Sequence, residues 1–590
     1  MPLFLGIDLG TTNTTLAVAR AGAPSEVAPP PENFPIVQLV RPGDRLARPT
    51  LPSCLYLAAP GELPAGSLDL PWAEGRAYFV GEGAKERGAE VPLHLVSSSK
   101  SWLCHGGVDR RAPILPAGAP EGLEKVSPVT AAVRVLEHLR DAWNAEHPNE
   151  PLEAQDVLLT VPASFDAVAK DLTLEAARAA GLSQVTLLEE PQAAFYAWLA
   201  VQGEAWRKVL KPGSRVLVAD VGGGTTDFTL IEVKDDGRGN LSLERIAVGE
   251  HLLLGGDNMD LALAHHLMSG LASSGKKLDA GQQRALVLQA RRAKEQLLSD
   301  PALGAAPITV LGRGSKLIGG QIKAELLRAD LERILVEGFF PVVAKDARPA
   351  EARRTGFMEL GLPYVADAAI TRHLAKFLAT HLGAGVLPTH LLFNGGVFNS
   401  PLLRERLLAV LEAWGLRPEV LTGSDNDLAV ARGAAHYARL RAQGGLRIRG
   451  GVARSYYVGI EGAAPAIPGV PPPLRALCVV PFGMEEGTQA EVPSGELGLV
   501  VGEEVGFRFL SSTERKNDTI GTMLDEFTWP EFLVETAPIH LKLEAKELAP
   551  GTLVPVHLQV KLTEIGTLEV WSVAKDGQRW RLEHNVREER

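Results

Sequence analysis

The stretch LFLGIDLGTTNT at residues 3–14 is matched by RVLVADVGGGTTD at residues 215–227, far along the chain. Each is an apolar, strand-like run that ends in an aspartate, Asp8 or Asp220, and then enters a turn of glycine and threonine. A second strand-like run follows each turn. The repeat therefore predicts two similar halves that face each other across a cleft.

The chemistry of these two turns suits a phosphate ligand. Glycine lets the backbone bend tightly, so that N–H groups can approach an anion. Threonine hydroxyls add donors, and an aspartate at each strand end supplies the oxygen ligand that Mg²⁺ prefers. One such hairpin occurs often by chance, but two copies in opposite halves can hold a β/γ-phosphate from both sides.

Strands and helices alternate from residue 1 to about residue 440. Strand-like runs at 157–161 and 389–393 are interleaved with helical patterns, among them Asp166–Ala180 and Ala324–Val336. This order predicts an α/β architecture, with one two-lobed domain over residues 1–441.

The pattern changes after residue 441. Residues 442–454, AQGGLRIRGGVAR, contain four glycines and are typical of a linker. Beyond them helical signals nearly vanish, and strand-like runs follow, such as the alternating stretch His557–Leu562. Residues 455–590 are therefore predicted to form a separate all-β domain, a sandwich.

The composition excludes several classes of protein. The 590 residues carry a formal net charge of -11, whereas a nucleic-acid or anionic-membrane binder needs a basic surface. No apolar run reaches the roughly 18 residues that cross a bilayer, and the N-terminus lacks the basic start of a secretory signal. Cys54, Cys104 and Cys478 are scattered, which fits a reducing compartment and excludes a disulfide scaffold. We therefore expect a cytoplasmic protein.

Two further Gly-Gly turns extend the candidate site. Residues 251–260, HLLLGGDNMD, and residues 391–400, LLFNGGVFNS, each run from a strand through two glycines into a helix. Paired glycines let a flat group such as a nucleoside lie against the backbone.

The sequence resembles the ATPase domain of the 70-kDa heat-shock chaperone family. Seven motifs occur in the family's order: GIDLGTTN (6–13), VPASFD (161–166), EEPQAA (189–194), ADVGGGTTD (219–227), LLLGGDNMD (252–260), RAKEQL (292–297) and FNGGVFNSP (393–401). The resemblance covers about residues 1–440 and implies the two-lobed fold that this family shares with actin and the sugar kinases. Residues 455–590 are similar, more loosely, to the family's peptide-binding β domain.

The resemblance implies a site for ATP or ADP with Mg²⁺. Asp8 and Asp220 would organise the metal and its waters. The other implied roles fall into three groups: the phosphate loops, Gly10, Thr11, Thr12, Asn13 and Gly222, Gly223, Gly224, Thr225; the catalytic residues Lys100, Glu190, Asp220, Thr225 and Asp227; and the adenosine pocket, Gly255, Gly256, Lys294, Gly395, Gly396 and Asp427. Such a site works by positioning and charge neutralisation.

Four of these residues have simpler interpretations. Lys100 and Lys294 could be solvated surface lysines, and Glu190 and Asp427 could cap the helices that follow them. The aspartates and glycines of the two hairpins are the positions on which the prediction depends most.

The sequence departs from the family pattern at several places. Lys170 stands where the family usually has an arginine that relays the nucleotide state, and Glu295 stands where an arginine packs against adenine. The linker is glycine-rich and basic instead of acidic and leucine-rich, which leaves coupling between the domains open. Because the sequence ends directly after a strand, we expect neither a helical lid nor an acidic tail.

We expect an ATP-dependent, chaperone-like protein with slow ATP hydrolysis. Binding and hydrolysis of ATP between the lobes would gate the binding of an unfolded or specific client polypeptide by the β domain. We expect no nucleic-acid or membrane partner, and the use of a J-domain co-chaperone or a nucleotide exchange factor stays open. The alternatives are a nucleotide-dependent scaffold, an actin-like assembly ATPase with weak hydrolysis, and a metabolite kinase of the same fold.

Overall fold

The structure, a computed structural model, divides into two compact units, Met1–Ile448 and Arg449–Arg590. The residues that it describes are 3–21, 28–105, 107–117, 119, 122–235, 241–250, 252–310, 321–350, 365–381, 387–443, 448–449, 452, 454–462, 472–512, 514–515, 517–535, 539–544, 549–563 and 565–585.

The first unit alternates strands and helices. Its strands are β1 (Leu3–Leu9), β2 (Asn13–Arg20), β3 (Glu32–Asn33), β4 (Ile36–Arg41), β5 (Asp44–Arg48), β6 (Leu51–Pro52), β7 (Leu55–Leu57), β8 (Tyr78–Val80), β9 (Leu95–Val96), β10 (Asp156–Val161), β11 (Val185–Glu189), β12 (Arg215–Val221), β13 (Thr226–Asp235), β14 (Leu241–Val248), β15 (Ala305–Val310), β16 (Ile322–Leu327), β17 (His390–Asn394), β18 (Glu419–Val420) and β19 (Ile448–Arg449). Its α-helices are α1 (Glu82–Glu90), α2 (Ser99–Leu103), α3 (Pro128–Glu146), α4 (Ala167–Ala179), α5 (Glu190–Gln202), α6 (Trp206–Val209), α7 (Gly256–Ser273), α8 (Ala280–Ser299), α9 (Arg328–Glu332), α10 (Ile370–His381), α11 (Pro401–Ala413) and α12 (Ala429–Gln443).

Each lobe of the first unit is built on a six-stranded sheet. The first sheet has the order β11-β10-β1-β2-β3, with β6 also pairing with β2, and the second has the order β18-β17-β12-β13-β14-β19. In both sheets an antiparallel hairpin, β1/β2 or β12/β13, lies beside a parallel strand, β10 or β17. One topology is thus repeated, which confirms the predicted two-lobed α/β fold.

Helices α5 and α12 connect the two sheets through one apolar cluster. This cluster joins Phe4 of the first sheet and Val218 of the second to side chains of both helices. A side chain at Gly433 of α12 would collide with the carbonyl of Ala193 in α5, so the two helix backbones touch. The core therefore fixes the carboxyl ends of β1 and β12, which carry Asp8 and Asp220, relative to each other.

The predicted helix Ala324–Val336 is wrong in its first part. Residues Ile322–Leu327 form strand β16, which pairs antiparallel with β15, and the helix begins only at Arg328. A π-helical turn, Arg333–Glu337, then follows α9. The apolar spacing over 324–336 suits a helix, but the pairing partner Ala305–Val310 adds a ladder of backbone hydrogen bonds that local spacing does not reveal.

The second unit is largely made of strands. They are β20 (Ser455–Glu461), β21 (Leu474–Val480), β22 (Thr488–Glu491), β23 (Leu497–Val501), β24 (Glu504–Phe507), β25 (Phe509–Ser512), β26 (Met523–Leu524), β27 (Val534–Glu535), β28 (Ile539–Lys542), β29 (Thr552–Leu562), β30 (Thr567–Ala574) and β31 (Arg579–Asn585), with one short helix, α13 (Trp529–Phe532).

Two five-stranded sheets of the second unit share one core. The first has the order β26-β21-β20-β25-β27; the second has β22-β29-β30-β31, with β23 also pairing with β29. Tyr456 and Phe509 of the first sheet pack with Val560 and Leu568 of the second in a single buried cluster. This arrangement is a β-sandwich, which agrees with the predicted fold class.

The predicted linker, residues 442–454, lies partly outside the described residues. Helix α12 extends to Gln443, and Ile448–Arg449 is a strand. Residues 444–447, 450, 451 and 453 are among those that the structure does not describe. The linker therefore stays a prediction. Among the described residues, no helix is both long enough and apolar enough to span a membrane.

Candidate functional site

A cleft of about 480 Å³ lies in the first unit, where the two hairpins meet. Most of the predicted site residues line it: Asp8, Gly10, Thr11, Thr12, Asn13, Lys100, Glu190, Asp220, Gly222, Gly223, Thr225, Gly256, Lys294, Gly395, Gly396 and Asp427. The other three, Gly224, Asp227 and Gly255, are not in this lining. Asp227 is buried and pairs with Asp220 across the β12/β13 hairpin.

The two glycine–threonine turns approach each other closely. A side chain at Gly223 would collide with the hydroxyl of Thr12, and a Cβ at Gly224 would lie 2.7 Å from Cγ2 of Thr11. Gly255 is packed in the same way against the carbonyls of Gly222 and Gly223. A side chain at any of these glycines would clash, so the glycines allow the turns of the two lobes to lie against each other.

Each aspartate of the site is held by a neighbouring side chain. The hydroxyl of Thr160 on β10 donates to Asp8 Oδ1 at 3.0 Å. The amide of Asn394 on β17 donates to Asp220 Oδ2 at 2.8 Å. Ser164 donates to Asp227 Oδ1 at 2.5 Å. In the first two cases the donor lies on the parallel strand next to the hairpin, so the repeated topology produces a repeated carboxylate site.

Burial and mutual repulsion make these carboxyl groups reluctant to ionise. Burial, followed by the charge of Glu190, raises the pKa of Asp8 to about 7. Burial likewise raises the pKa of Asp227 to about 7, although the hydrogen bond from Ser164 opposes it. The pKa of Asp220 is raised well above its ordinary value, again mainly by burial and then by Glu190. A bound cation would relieve this repulsion.

The donor set fits Mg²⁺ held together with phosphate. Among the described residues, no three His, Cys, Asp or Glu side chains are grouped closely enough to hold a metal by themselves. Asp8 and Asp220 nevertheless both line the cleft beside the turns. Mg²⁺ typically takes one or two protein carboxylates and completes its shell with water and substrate phosphate, which matches this pair.

Lys100 lies inside the cleft, not on the surface. Its ammonium forms an ion pair with Glu190, the first residue of α5, and its side chain is only 7% exposed. Burial by itself would lower the pKa of Lys100, but the charges of Glu190 and Asp8 outweigh it and raise the pKa. The interpretation of Lys100 as a solvated surface lysine is therefore wrong.

Lys294 is also buried, in a charge network that the sequence reasoning missed. Its ammonium binds Asp260 Oδ1 at 2.7 Å and the carbonyl of Gly256 at 3.1 Å. Arg291, one turn earlier on α8, binds Asp260 Oδ2 at 2.5 Å and forms a second ion pair with Asp257. Residues three apart on a helix share a face, so the Arg291–Lys294 spacing was the available signal.

The far end of the cleft is polar. Asn399 donates to Asp427 Oδ2 at 2.8 Å, and burial raises the pKa of Asp427. Glu295, half exposed, lies 3.9 Å from the ammonium of Lys85 on α1. Asp427 precedes α12, and its own backbone N–H donates to Asp425. Gly395 has φ of +84° and abuts Val221 and Asp220, which explains the glycine there.

Comparisons with known proteins agree with this geometry. Residues 118–346 match the sequence model of the family described as Hsp70 protein. A chaperone protein HscA homolog of Bordetella pertussis is 29% identical over 458 residues, which cover 75% of this chain and 58% of that protein. The chaperone protein HscA of Cronobacter sakazakii is 29% identical over 451 residues, 73% of this chain and 57% of its own. An HscA homolog of Pseudomonas paraeruginosa is 30% identical over 449 residues, which cover 73% of this chain and 57% of that protein.

The chain is similar to proteins of the 70-kDa heat-shock family. It spans less than three fifths of the length of the curated Hsp70-family relatives that it matches. Of the two residues at which a departure from the family pattern is predicted, Lys170 is buried in α4 and Glu295 lies beside Lys85.

Proposed function

We propose that the chain binds and slowly hydrolyses ATP in the cleft between its two lobes. The observation that supports this most is the meeting of both glycine–threonine turns, two aspartates and the Lys100–Glu190 ion pair around one cavity. The cavity combines backbone donors for phosphate with carboxylates for a metal. Its volume suits a small-molecule ligand.

The residues of the cleft divide the work of phosphoryl transfer. The turns at 10–13 and 222–225 hold the phosphates with their N–H groups and threonine hydroxyls. Asp8 and Asp220 would hold Mg²⁺, which would neutralise charge on the phosphate oxygens. Glu190 accepts a hydrogen bond from the attacking water, and Lys100 stabilises the negative charge that develops. The Gly-Gly turns, Lys294 and Asp427 surround the nucleoside.

We further propose that ATP turnover gates the binding of a client polypeptide by the second unit. Several of its apolar side chains are exposed, with Phe527 at 84%, Val534 at 68% and Leu553 at 65%. Exposed apolar side chains favour contact with an apolar partner. Val534 lies on β27, an edge strand of its sheet, and such an edge can add a strand from an extended peptide. A co-chaperone and an exchange factor are further proposed partners.

Steady-state ATP hydrolysis, with and without an unfolded peptide, tests the proposal. Wild type should turn over slowly, and Asp220→Ala should lose at least 100-fold because a metal-binding carboxylate is gone. Stimulation by peptide would support gated client binding. Turnover that peptide does not change would favour a scaffold role, and phosphate transfer to small polyols would favour a kinase.

A further inference from the structure

Ser98 has an unusual backbone conformation next to the candidate site. Among the described residues, it is the only non-glycine residue with positive φ, at 53°. Non-glycine residues adopt this left-handed region only at a cost, which other contacts must offset. Ser98 directly precedes α2, the short helix that carries Lys100.

The side chain of Ser98 reaches across to the other lobe. Its hydroxyl donates to Asp257 Oδ2 at 2.8 Å, and it makes no capping hydrogen bond to α2. The bond therefore serves the contact between lobes and not the helix end.

Asp257 is itself fixed to the second phosphate loop. It lies in the first turn of α7, where its backbone N–H donates to the carbonyl of Gly223 at 2.7 Å. Its other carboxylate oxygen, Oδ1, forms the ion pair with Arg291. Because its backbone and both oxygens are engaged, Asp257 is a rigid acceptor for the hydroxyl of Ser98.

We propose that Ser98 is a positioning residue for Lys100. Its cross-cleft hydrogen bond to Asp257 holds the left-handed turn from which α2 begins, and this turn directs Lys100 toward Glu190. Ser101, on the same helix, faces Gly224 of the second loop, so α2 is located against that loop at a second point. The same contact between the lobes, from Ser98 to Asp257, then also places Lys100. The proposal rests on the proposed role of Lys100 in ATP hydrolysis.

Chemical labelling of Lys100 in the nucleotide-free full chain tests the positioning. Acylation with acetic anhydride, read by mass spectrometry, should be slow in wild type because Lys100 is buried and ion-paired. Ser98→Ala, which loses a hydrogen bond to a charged group, should raise the labelling rate about tenfold. Ser98→Gly should raise it less, since glycine takes positive φ without cost. Ser269→Ala, on the exposed side of α7, is the control and should match wild type.

A double-mutant cycle tests whether Asp257, the acceptor of the Ser98 hydrogen bond, acts on Lys100 through the same contact. Asp257→Ala should also expose Lys100, and Ser98→Ala combined with Asp257→Ala should label no faster than Asp257→Ala alone. Labelling of Ser98→Ala at the wild-type rate would overturn the proposal, as would additive effects of the two substitutions. Equal labelling in Ser98→Gly and Ser98→Ala would overturn the role of the left-handed turn.

Single-turnover hydrolysis of bound ATP separates this proposal from the proposed function. Ser98→Ala should slow the hydrolytic step about tenfold with an unchanged Kd for ATP. Equal rates for wild type and Lys100→Ala would contradict the proposed role of Lys100 in hydrolysis, and no hydrolysis of bound ATP by wild type would contradict the proposed function. The labelling needs no nucleotide, so it tests the placement of Lys100 whether or not the chain hydrolyses ATP.

Discussion

Individual charged residues define the chemistry of the cleft. Asp8, Asp220 and Asp227 have pKa values raised by burial, and Lys100 is the cation placed against Glu190. Such a site is short of positive charge until Mg²⁺ is bound, and the phosphates of a nucleotide add further negative charge. The proposed mechanism therefore depends most on the lysine that the protein itself supplies.

Replacing Lys100 by alanine should separate binding from hydrolysis. The phosphate turns stay intact, so the affinity for ATP should change less than tenfold, whereas single-turnover hydrolysis should fall about 100-fold or more. Rapid-quench measurements with saturating ATP and Mg²⁺ give the rate. Lys276→Ala, an exposed lysine after α7, is the control. Hydrolysis that survives in Lys100→Ala at the wild-type rate would remove Lys100 from the mechanism.

His138 should make the first unit less stable in acid. It is fully buried in α3, its Nε2 lies 2.9 Å from the carbonyl of Val37, and burial lowers its pKa to about 4. Below its ordinary pKa of 6.5, the unfolded chain takes up a proton that the folded chain refuses. The free energy of unfolding therefore falls as the pH drops from 6.5 toward 4.

Urea titrations of the full chain at pH 7 and pH 5 measure this effect. His138→Gln should reduce the loss of stability between these pH values by about 2 kcal/mol. His265→Gln, an exposed histidine on α7, should leave it unchanged. An identical pH dependence in wild type and His138→Gln would show that His138 is not the group responsible.

The residue pattern alone predicts the site where it repeats, whereas Lys100, Glu190 and Asp427 were predicted from the family resemblance. The two hairpins are recognisable because the same pattern occurs twice, and the aspartates at the ends of their first strands, Asp8 and Asp220, both line the cleft. Arg291 and Asp257 were missed because each looks like an ordinary charge on a helix. Their ion pair joins residues from α7 and α8, and no local pattern shows which charges meet.

At the scale of elements, the contact between α5 and α12 holds the two sheets together. Its closest point is Gly433 against the carbonyl of Ala193. Gly433→Ala should destabilise the protein by about 1–3 kcal/mol, because the added methyl forces two packed helices apart.

The same substitution at a matched glycine should change the stability in the opposite direction. Gly270 also lies inside a helix, α7, but a Cβ there would meet nothing within 4 Å. Gly270→Ala should stabilise the protein by about 0.5–1 kcal/mol through helix propensity alone. Thermal unfolding of both variants measures the pair, and destabilisation of similar size in both would contradict the packing argument.

Helices could be predicted from the local spacing of apolar residues, except where a segment pairs with another strand of a sheet. The helix Asp166–Ala180 agrees closely with α4, whose N-cap Asp166 accepts a hydrogen bond from Ala169. The stretch Ala324–Val336 begins instead as a strand, because Ala305–Val310 pairs with it. Sheet pairing is a long-range choice, so the same apolar spacing gave a correct helix in one place and a wrong one in the other.

At the scale of the whole molecule, the chain consists of two units that divide at residue 448. Ile448 belongs to the first: its side chain is buried in the cluster of α5 and α12, and its N–H donates to the hydroxyl of Tyr196 at 2.6 Å. The predicted boundary at residue 441 came from the glycine-rich segment that follows it, and it stays a prediction.

The fragment 1–449 should therefore fold alone, and more stably than 1–443. The shorter fragment loses the buried Ile448 side chain and its hydrogen bond, together about 2 kcal/mol. Urea unfolding of the two fragments measures the difference. Ile448→Ala in the fragment 1–449 should reproduce part of this loss of stability. Equal stability of 1–443, 1–449 and the Ile448→Ala variant of 1–449 would show that Ile448 contributes nothing to the first unit.

The decisive experiment for nucleotide binding between the two hairpins is a structure of the full chain with Mg²⁺ and a non-hydrolysable ATP analogue. We predict the β- and γ-phosphates within hydrogen-bond distance of the backbone at 10–13 and 222–225, and the metal beside Asp8 and Asp220. A cleft that stays empty at saturating analogue, or a nucleotide bound outside the two hairpins, would contradict the account.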